Sequence, residues 1–405
     1  MSNLITGLDI GSSQIKGIVA EEKKDGTLFV VSAFKQPMSG LRRGMVVDAE
    51  DATQILRDLV LDLQKISKKA TSNIFVNVNS EHMRTRHSKG IAAVSRADQE
   101  IQQDDVDRVM DASKAVKLLP NRMVLHNIIR EYFVDDIGEI YQPIGMIGNR
   151  LEVATVMVEA FAPQVNLIVK TLERVGAQVG GLIFNPIAAS RAILSKRQKD
   201  LGVVLVDLGF GTTSMIAYEE NKITHARSLP IGMGYVTNDI AIGLKTSIDA
   251  AEKLKLFCSF ALSKDVSRRE TVQLSEYDAT SVSEISKRLI SEIVEVRLVE
   301  ILDLIHNEFK SLNKNVQLPG GVVLTGGGAK TGGIADLVKQ ELKLPAQVGY
   351  PDLGSFEINN PTYENLINDT EFATAVGLTL FGNAESKKSI SPFTTVKGFL
   401  RNLMP

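Results

Sequence analysis

Tryptophan is absent from the 405 residues, cysteine occurs once, as Cys258, and histidine five times. A single cysteine excludes an intramolecular disulfide and any cysteine-rich metal site, and it fits a reducing compartment. His82, His87, His126, His225 and His306 show no metal-ligand spacing. An excess of charge of either sign is also missing, since 46 Lys and Arg stand against 48 Asp and Glu, for a formal net charge of -2. That balance argues against a dedicated nucleic-acid binder, which carries a strong basic excess. No run of about 18 or more uncharged apolar residues occurs, so no helix is expected to span a bilayer. The stretch from Met1 to Asp9 has no apolar h-region and does not read as a signal peptide. What is present is the composition of a packed protein, 44% hydrophobic, in a chain long enough for two or three domains.

One plan occurs twice. Ile5 to Ser13 and Val203 to Thr213 each run from an apolar strand into Asp, then Gly, then hydroxyl residues. Each is followed by a second apolar stretch, Ile15 to Val19 and Ser214 to Tyr218, which predicts strand, tight turn, strand. Two copies suggest two similar domains facing each other. Helical spacing over 51–67 and 164–175 alternates with strand-like runs at 74–78 and 180–184, the pattern of an α/β architecture. Residues 84–160 break the rhythm with their own helix (103–116) and strands (124–134, 151–158), as an inserted α+β module of roughly 75 residues would. Further helices are expected over 281–304 and from about Ile334.

The two turns suit phosphate. Backbone N–H groups in a Gly-rich turn approach closely because Cβ is missing. Ser12, Ser13, Thr212 and Thr213 add hydroxyls, and Lys16 adds a cation. Asp9 and Asp207, each ending an apolar strand, suit a largely hydrated Mg²⁺. Read singly, each turn could merely close a hairpin; the duplication favours the ligand. Gly321 to Ala329 is a third piece, an apolar strand entering Gly326, Gly327 and Gly328, with backbone open to a flat ligand. It matches neither a P-loop nor a dinucleotide fingerprint.

These segments resemble the two phosphate motifs and the adenosine motif of the actin, hexokinase and DnaK-like chaperone superfamily. Asn185 to Ser190 and Phe372 to Gly377 are similar to its two interdomain connectors, and Ala251 to Lys255 to its Ala-Glu-x-x-Lys pattern. Within that superfamily the chain resembles the FtsA family of bacterial actin-like cell-division proteins. The likeness is carried by Ser228 to Gly234, Thr237 to Ala241, and the insertion with its Ile128 to Tyr141, Pro143 to Met146 and Gly148 to Leu151. The resemblance implies an actin-like two-domain ATPase fold with an inserted subdomain and a C-terminal amphipathic helix. Its expected parts are 1–83, 161–190 and 360–381 (1A), 84–160 (1C), 191–227 and 305–359 (2A), 228–304 (2B), a linker over 382–392, and a membrane helix over 393–405.

ATP and Mg²⁺ are the implied cofactors, held by Asp9, Gly11, Ser12, Ser13, Lys16, Asp207, Gly209, Gly211, Thr212, Thr213, Gly234, Glu252, Lys255, Gly326, Gly327 and Gly328. The implied partners are copies of itself, the C-terminal peptide of the tubulin-like FtsZ, other divisome proteins and membrane lipid. The implied place is the cytoplasmic face of the membrane at the septum. Arg297, on the expected helix 281–304, is a candidate for the FtsZ contact. Two departures matter: Phe210 stands where the second phosphate motif has Gly, and Asn185 stands where relatives often carry an acid. An amide cannot act as a general base, so slow or negligible hydrolysis is expected. In the tail, Phe393, Val396, Phe399, Leu400, Leu403 and Met404 share one face of a helix opposite Lys397 and Arg401. That helix would lie in the membrane interface, or dock on its own domain. A PilM-like pilus assembly protein and a small-molecule kinase of the same superfamily remain alternatives.

Overall fold

The computed structural model describes residues 3–278, 283–311 and 318–387. The chain opens with β1 (Asn3–Ile10), buried from its second residue onward, and turns at once into β2 (Gln14–Glu22) and then β3 (Leu28–Pro37). A small hairpin, β4 (Leu41–Arg42) and β5 (Met45–Val46), leads to α1 (Ala49–Ile66). Asp48 caps that helix by accepting from the amides of Glu50 and Asp51, and Ala52, Leu56, Leu59, Val60 and Leu63 form its buried stripe. β6 (Ile74–Val78) then pairs in parallel with β1.

Here the chain departs into β7 (Arg84–Ala93), α2 (Gln103–Lys114), β8 (Arg122–Val134), β9 (Ile137–Ile140) and β10 (Arg150–Phe161). The strands form an antiparallel sheet in the order β7-β10-β8-β9. This unit encloses its own core around Ile101, Val109, Leu151 and Val153. The buried Asp105 fixes the start of α2 by accepting from the Gln102 amide at 2.9 Å and from Arg96 at 2.7 Å.

After α3 (Ala162–Arg174), β11 (Val179–Phe184) adds in parallel to β6. α4 (Asn185–Ile193) then carries the chain into a second half, followed by α5 (Lys196–Leu201). β12 (Val203–Leu208), β13 (Thr213–Glu219) and β14 (Lys222–Leu229) repeat the antiparallel meander of β1 to β3. A lobe of α6 (Met233–Leu244), α7 (Ile248–Cys258), β15 (Thr271–Gln273), β16 (Glu284–Ser286) and α8 (Lys287–Ser311) follows. β17 (Val322–Thr325), α9 (Ile334–Leu342) and β18 (Ala346–Val348) complete the second sheet, with β17 parallel to β12 as β6 is to β1. β19 (Phe356–Glu357), α10 (Pro361–Ile367) and α11 (Ala373–Lys387) return to the first half. The echo in the sequence is thus two copies of one sheet plan: β11-β6-β1-β2-β3-β19 and β14-β13-β12-β17-β18.

α4 and α11 cross between the halves in backbone contact, since a Cβ at Gly377 would lie 1.9 Å from the Ala188 carbonyl oxygen. The first core continues through α4 to Val203, Leu205 and Ile216 of the second sheet. Two expectations shift. The helix placed at 281–304 starts at Lys287 and ends at Ser311, because Glu284–Ser286 pairs as a strand with Thr271–Gln273. The linker placed at 382–392 does not begin at Gly382, since α11 continues to Lys387. Packing explains this: Gly382 lies against Ile5 and Phe75, and Asn383 Nδ2 donates to the Gly26 carbonyl at 3.2 Å. Residues 388–392 and the whole tail helix, with Phe393, Val396, Phe399, Leu400, Leu403 and Met404, lie outside the described residues.

Candidate nucleotide site

Both Asp–Gly turns are built alike. The Gly11 amide donates to the Gln14 carbonyl at 3.0 Å, and the Gly209 amide donates to the Thr212 carbonyl at 3.1 Å. A Cβ at either glycine would lie 2.8 Å from the carbonyl its own amide bonds, so each turn closes only around glycine. The turns face each other across a cleft of about 370 Å³, where Gly211 approaches Ser12 Oγ and Asn79 Nδ2 donates to Thr212 Oγ1 at 3.1 Å. Gly326 forms a third side. Its φ of 81° is left-handed, and a Cβ there would strike Asp207 Oδ1 at 2.2 Å.

Asp9 and Asp207 sit at the matching ends of β1 and β12, both buried. Lys16 Nζ lies 3.1 Å from Asp9 Oδ2. Asn77 Nδ2 donates to Asp9 Oδ1 at 2.8 Å and to Asn185 Oδ1 at 3.0 Å, while its own Oδ1 accepts from the Ile10 amide at 2.7 Å. Burial, reinforced by the Asp9 charge, pushes the Asp207 carboxyl up to about 6, against the pull of Lys16 and a hydrogen bond with Asn185. Burial draws the Lys16 ammonium down, but Asp9, Glu371 and Asp207 together more than offset it and hold it above its ordinary value. Two close carboxylates with one lysine, paired to Asp9, form a centre short of positive charge.

The far wall is polar and braced. Lys255 Nζ lies 2.7 Å from Glu252 Oε2 and donates to Thr237 Oγ1 at 3.0 Å, and burial leaves its ammonium below the usual lysine range. Phe210 fills the space below Lys255, with the ammonium 5.4 Å from the ring centroid. Glu371 gathers Lys35 at 2.5 Å and Lys330 at 3.3 Å beside the open face of Gly327.

Of the expected ligand residues, Asp9, Gly11, Ser12, Ser13, Lys16, Asp207, Gly209, Gly211, Thr212, Glu252, Lys255, Gly326, Gly327 and Gly328 all line this cleft. Two do not. Strand alternation turns Thr213 away from the face Thr212 presents, and its hydroxyl is fully buried without a hydrogen bond. Gly234 sits beneath the Phe210 ring, its amide donating to the Phe210 carbonyl at 2.8 Å. Arg297, the expected partner contact, is partly exposed on α8 and forms a two-pronged pair with Asp239 at 2.6 and 3.0 Å. Sequence reasoning missed Lys35, Asn77, Asn79, Lys330 and Glu371 as lining residues. Only Asn77 left a signal, as a polar residue inside an otherwise apolar buried strand.

A family model described as cell division protein FtsA matches residues 204–377, and one described as the SHS2 domain inserted in FtsA matches residues 80–159. The cell division protein FtsA of Pseudomonas aeruginosa is 31% identical over 388 residues, covering 96% of this chain and 91% of the relative. That of Borreliella burgdorferi is 32% identical, covering 95% and 92%. Among solved structures, the PilM-PilN type IV pilus biogenesis complex matches with a TM-score of 0.65 at 16% identity, covering 94% of this chain and 98% of the other. MreB5 of Spiroplasma citri bound to ADP matches with a TM-score of 0.55 at 13% identity, covering 95% and 98%. The fold is therefore the actin-like α/β fold that the sequence implied, with the SHS2 insertion.

Proposed function

Because the chain belongs to the FtsA family of cell division proteins, we propose that it binds ATP with Mg²⁺ in this cleft, polymerises on the cytoplasmic face of the membrane and tethers FtsZ filaments there. The observation that carries the reading is the pair of mirrored Asp–Gly turns facing each other across one cleft. Their amides and hydroxyls suit phosphate oxygens from both sides. Among the described residues no group of three or more His, Cys, Asp or Glu side chains is arranged to hold a metal ion. The residues fit a cation held by Asp9 and Asp207 through water and completed by phosphate oxygens, as Mg²⁺ prefers. Such an ion would offset the burial and the Asp9 charge that together raise the Asp207 carboxyl. Lys16 would face the phosphates, and Glu252 and Lys255 the nucleoside.

Where a water-activating base would stand, the chain places amides, Asn77 and Asn185. They can orient a water but cannot take its proton. Purified protein is therefore expected to hold ATP and turn it over far more slowly than the roughly 1–100 per second of kinases. A steady-state phosphate-release assay decides this; turnover in the kinase range would revive the small-molecule kinase reading. The PilM-like reading has fold likeness alone behind it, whereas relatives at 31% and 32% identity across nearly the whole chain are cell division proteins.

For FtsZ, α8 remains the candidate face, with apolar residues beside Arg297. It exposes Leu289 and Val296, two turns apart, and the adjoining α6 exposes Ile242. An apolar peptide segment could cover them. No helix among the described residues is long and apolar enough to cross a membrane, so attachment falls to the tail.

A further inference from the structure

The β4–β5 hairpin reaches from the first half of the molecule to the second. Its tip is Arg43-Gly44, with φ of 51° and 73°, the paired left-handed conformations of a two-residue type I′ turn. Glycine adopts this freely, but an arginine there costs about 1–2 kcal/mol, so its surroundings must hold it. Gly44 seats the tip on the first half, since a Cβ there would lie 1.8 Å from the Asn79 carbonyl oxygen. From that seat the Arg43 guanidinium bridges the halves. Nη1 donates to Glu81 Oε2 at 3.1 Å on its own side, and Nη2 donates to the Tyr235 hydroxyl of α6 on the other. The guanidinium carbon also lies 5.5 Å from the Tyr235 ring centroid. Arg297 is 5.7 Å from the same ring, held by Asp239. Tyr235 thus carries two arginines, one from each half.

Both ends of this bridge are tied to the phosphate turns. On the first side, the Gly44 amide donates to Ser12 Oγ at 3.1 Å. On the second, the turn of α6 that bears Tyr235 hangs from the other loop: the Met233 amide donates to the Gly209 carbonyl at 2.9 Å and the Gly234 amide to the Phe210 carbonyl at 2.8 Å. A change in the spacing of the two phosphate turns must therefore stretch or release the Arg43–Tyr235 contact.

We propose that Arg43 is a positioning residue of the cleft, a latch that fixes the two phosphate turns at the spacing a nucleoside triphosphate needs. The Tyr235–Arg297 stack passes the latched state to α8. The nucleotide part rests on the function proposed above; the latch between the halves does not.

The test uses the full chain, with Arg43→Ala, Tyr235→Leu and the double variant. Without nucleotide, amide hydrogen exchange in Arg43→Ala is expected to quicken at residues 11–14 and 209–212 and stay unchanged in β1 and β12. A fluorescent ATP analogue is expected to dissociate roughly tenfold faster from either single variant, the size of one partly exposed cation–π contact with its hydrogen bond. The double variant should fall well short of the product of the two single effects, because the Arg43–Tyr235 contact they share is lost only once. Arg43→Lys keeps the charge but not the planar stack, and should fall between wild type and Arg43→Ala. Unchanged exchange in both turns, or single effects that multiply in the double variant, would overturn the latch. If wild type fails to bind the analogue, the nucleotide reading falls, and the exchange comparison still decides the latch.

Discussion

Replacing Asp207 with Asn is expected to stabilise the nucleotide-free protein at pH 7 and to weaken its Mg²⁺-dependent nucleotide binding. The folded carboxyl titrates at about 6 against an ordinary value of 3.8, because it is buried and faces Asp9. A carboxyl with a raised folded value favours folding fully below the unfolded value, and this contribution is lost as pH rises through the folded one. At pH 7 it is gone, and the empty cleft carries a buried ionised carboxylate at a cost of about 2–3 kcal/mol. Asn is neutral at every pH and fits the same space. Denaturant titrations should therefore place Asp207→Asn above wild type at pH 7, with the difference shrinking towards pH 4. Mg²⁺–ATP affinity should fall by about 10–100-fold, the usual scale for residues that hold a metal through an intermediate ligand. An Asp207→Asn protein less stable than wild type at pH 7, with its affinity intact, would contradict the account of the site.

Ending the chain at Lys387 is expected to abolish vesicle binding while leaving the fold whole. α11 is packed through Gly382 and Asn383 and continues as helix to Lys387, so the cut falls beyond those contacts. The 13 residues from Phe393 to Pro405, if helical, would span about 20 Å, too short to cross a bilayer. Lying in the interface with Lys397 and Arg401 towards anionic headgroups, one copy would bind weakly. Filaments would multiply the copies on one surface, and avidity of 10²–10⁴ would follow. Co-sedimentation with anionic vesicles, ATP and Mg²⁺ should pellet the intact chain and leave the shortened one in solution. Equal pelleting of both would remove the tail from the account and leave docking on the chain's own domain as its role.

The Asp–Gly hairpins were legible because everything that makes them is local: an apolar strand, a glycine whose amide closes on a carbonyl three residues on, and a second strand. Gly326 to Gly328 were legible for the same reason. Lys35, Lys330 and Glu371 were not, because the fold brings them together from distant parts of the chain, and Asn77 showed only as a polar residue in an apolar strand. Glu371 meets Lys35 across 336 residues. Arg297 looked like a free cation on a helix, and only the fold supplies Asp239 from 58 residues away. Thr213 is different: strand alternation alone could have separated it from Thr212. The linker was placed too early because a polar sequence does not reveal that Gly382 fits against Ile5.

Binding of ATP with and without Mg²⁺ tests the central claim most directly, by titrating the intact wild-type chain at pH 7.5 in a calorimeter. The account predicts one saturable site, markedly tighter with Mg²⁺, with ATP intact at the end of the run. No saturable binding, or equal affinity with and without Mg²⁺, would contradict it.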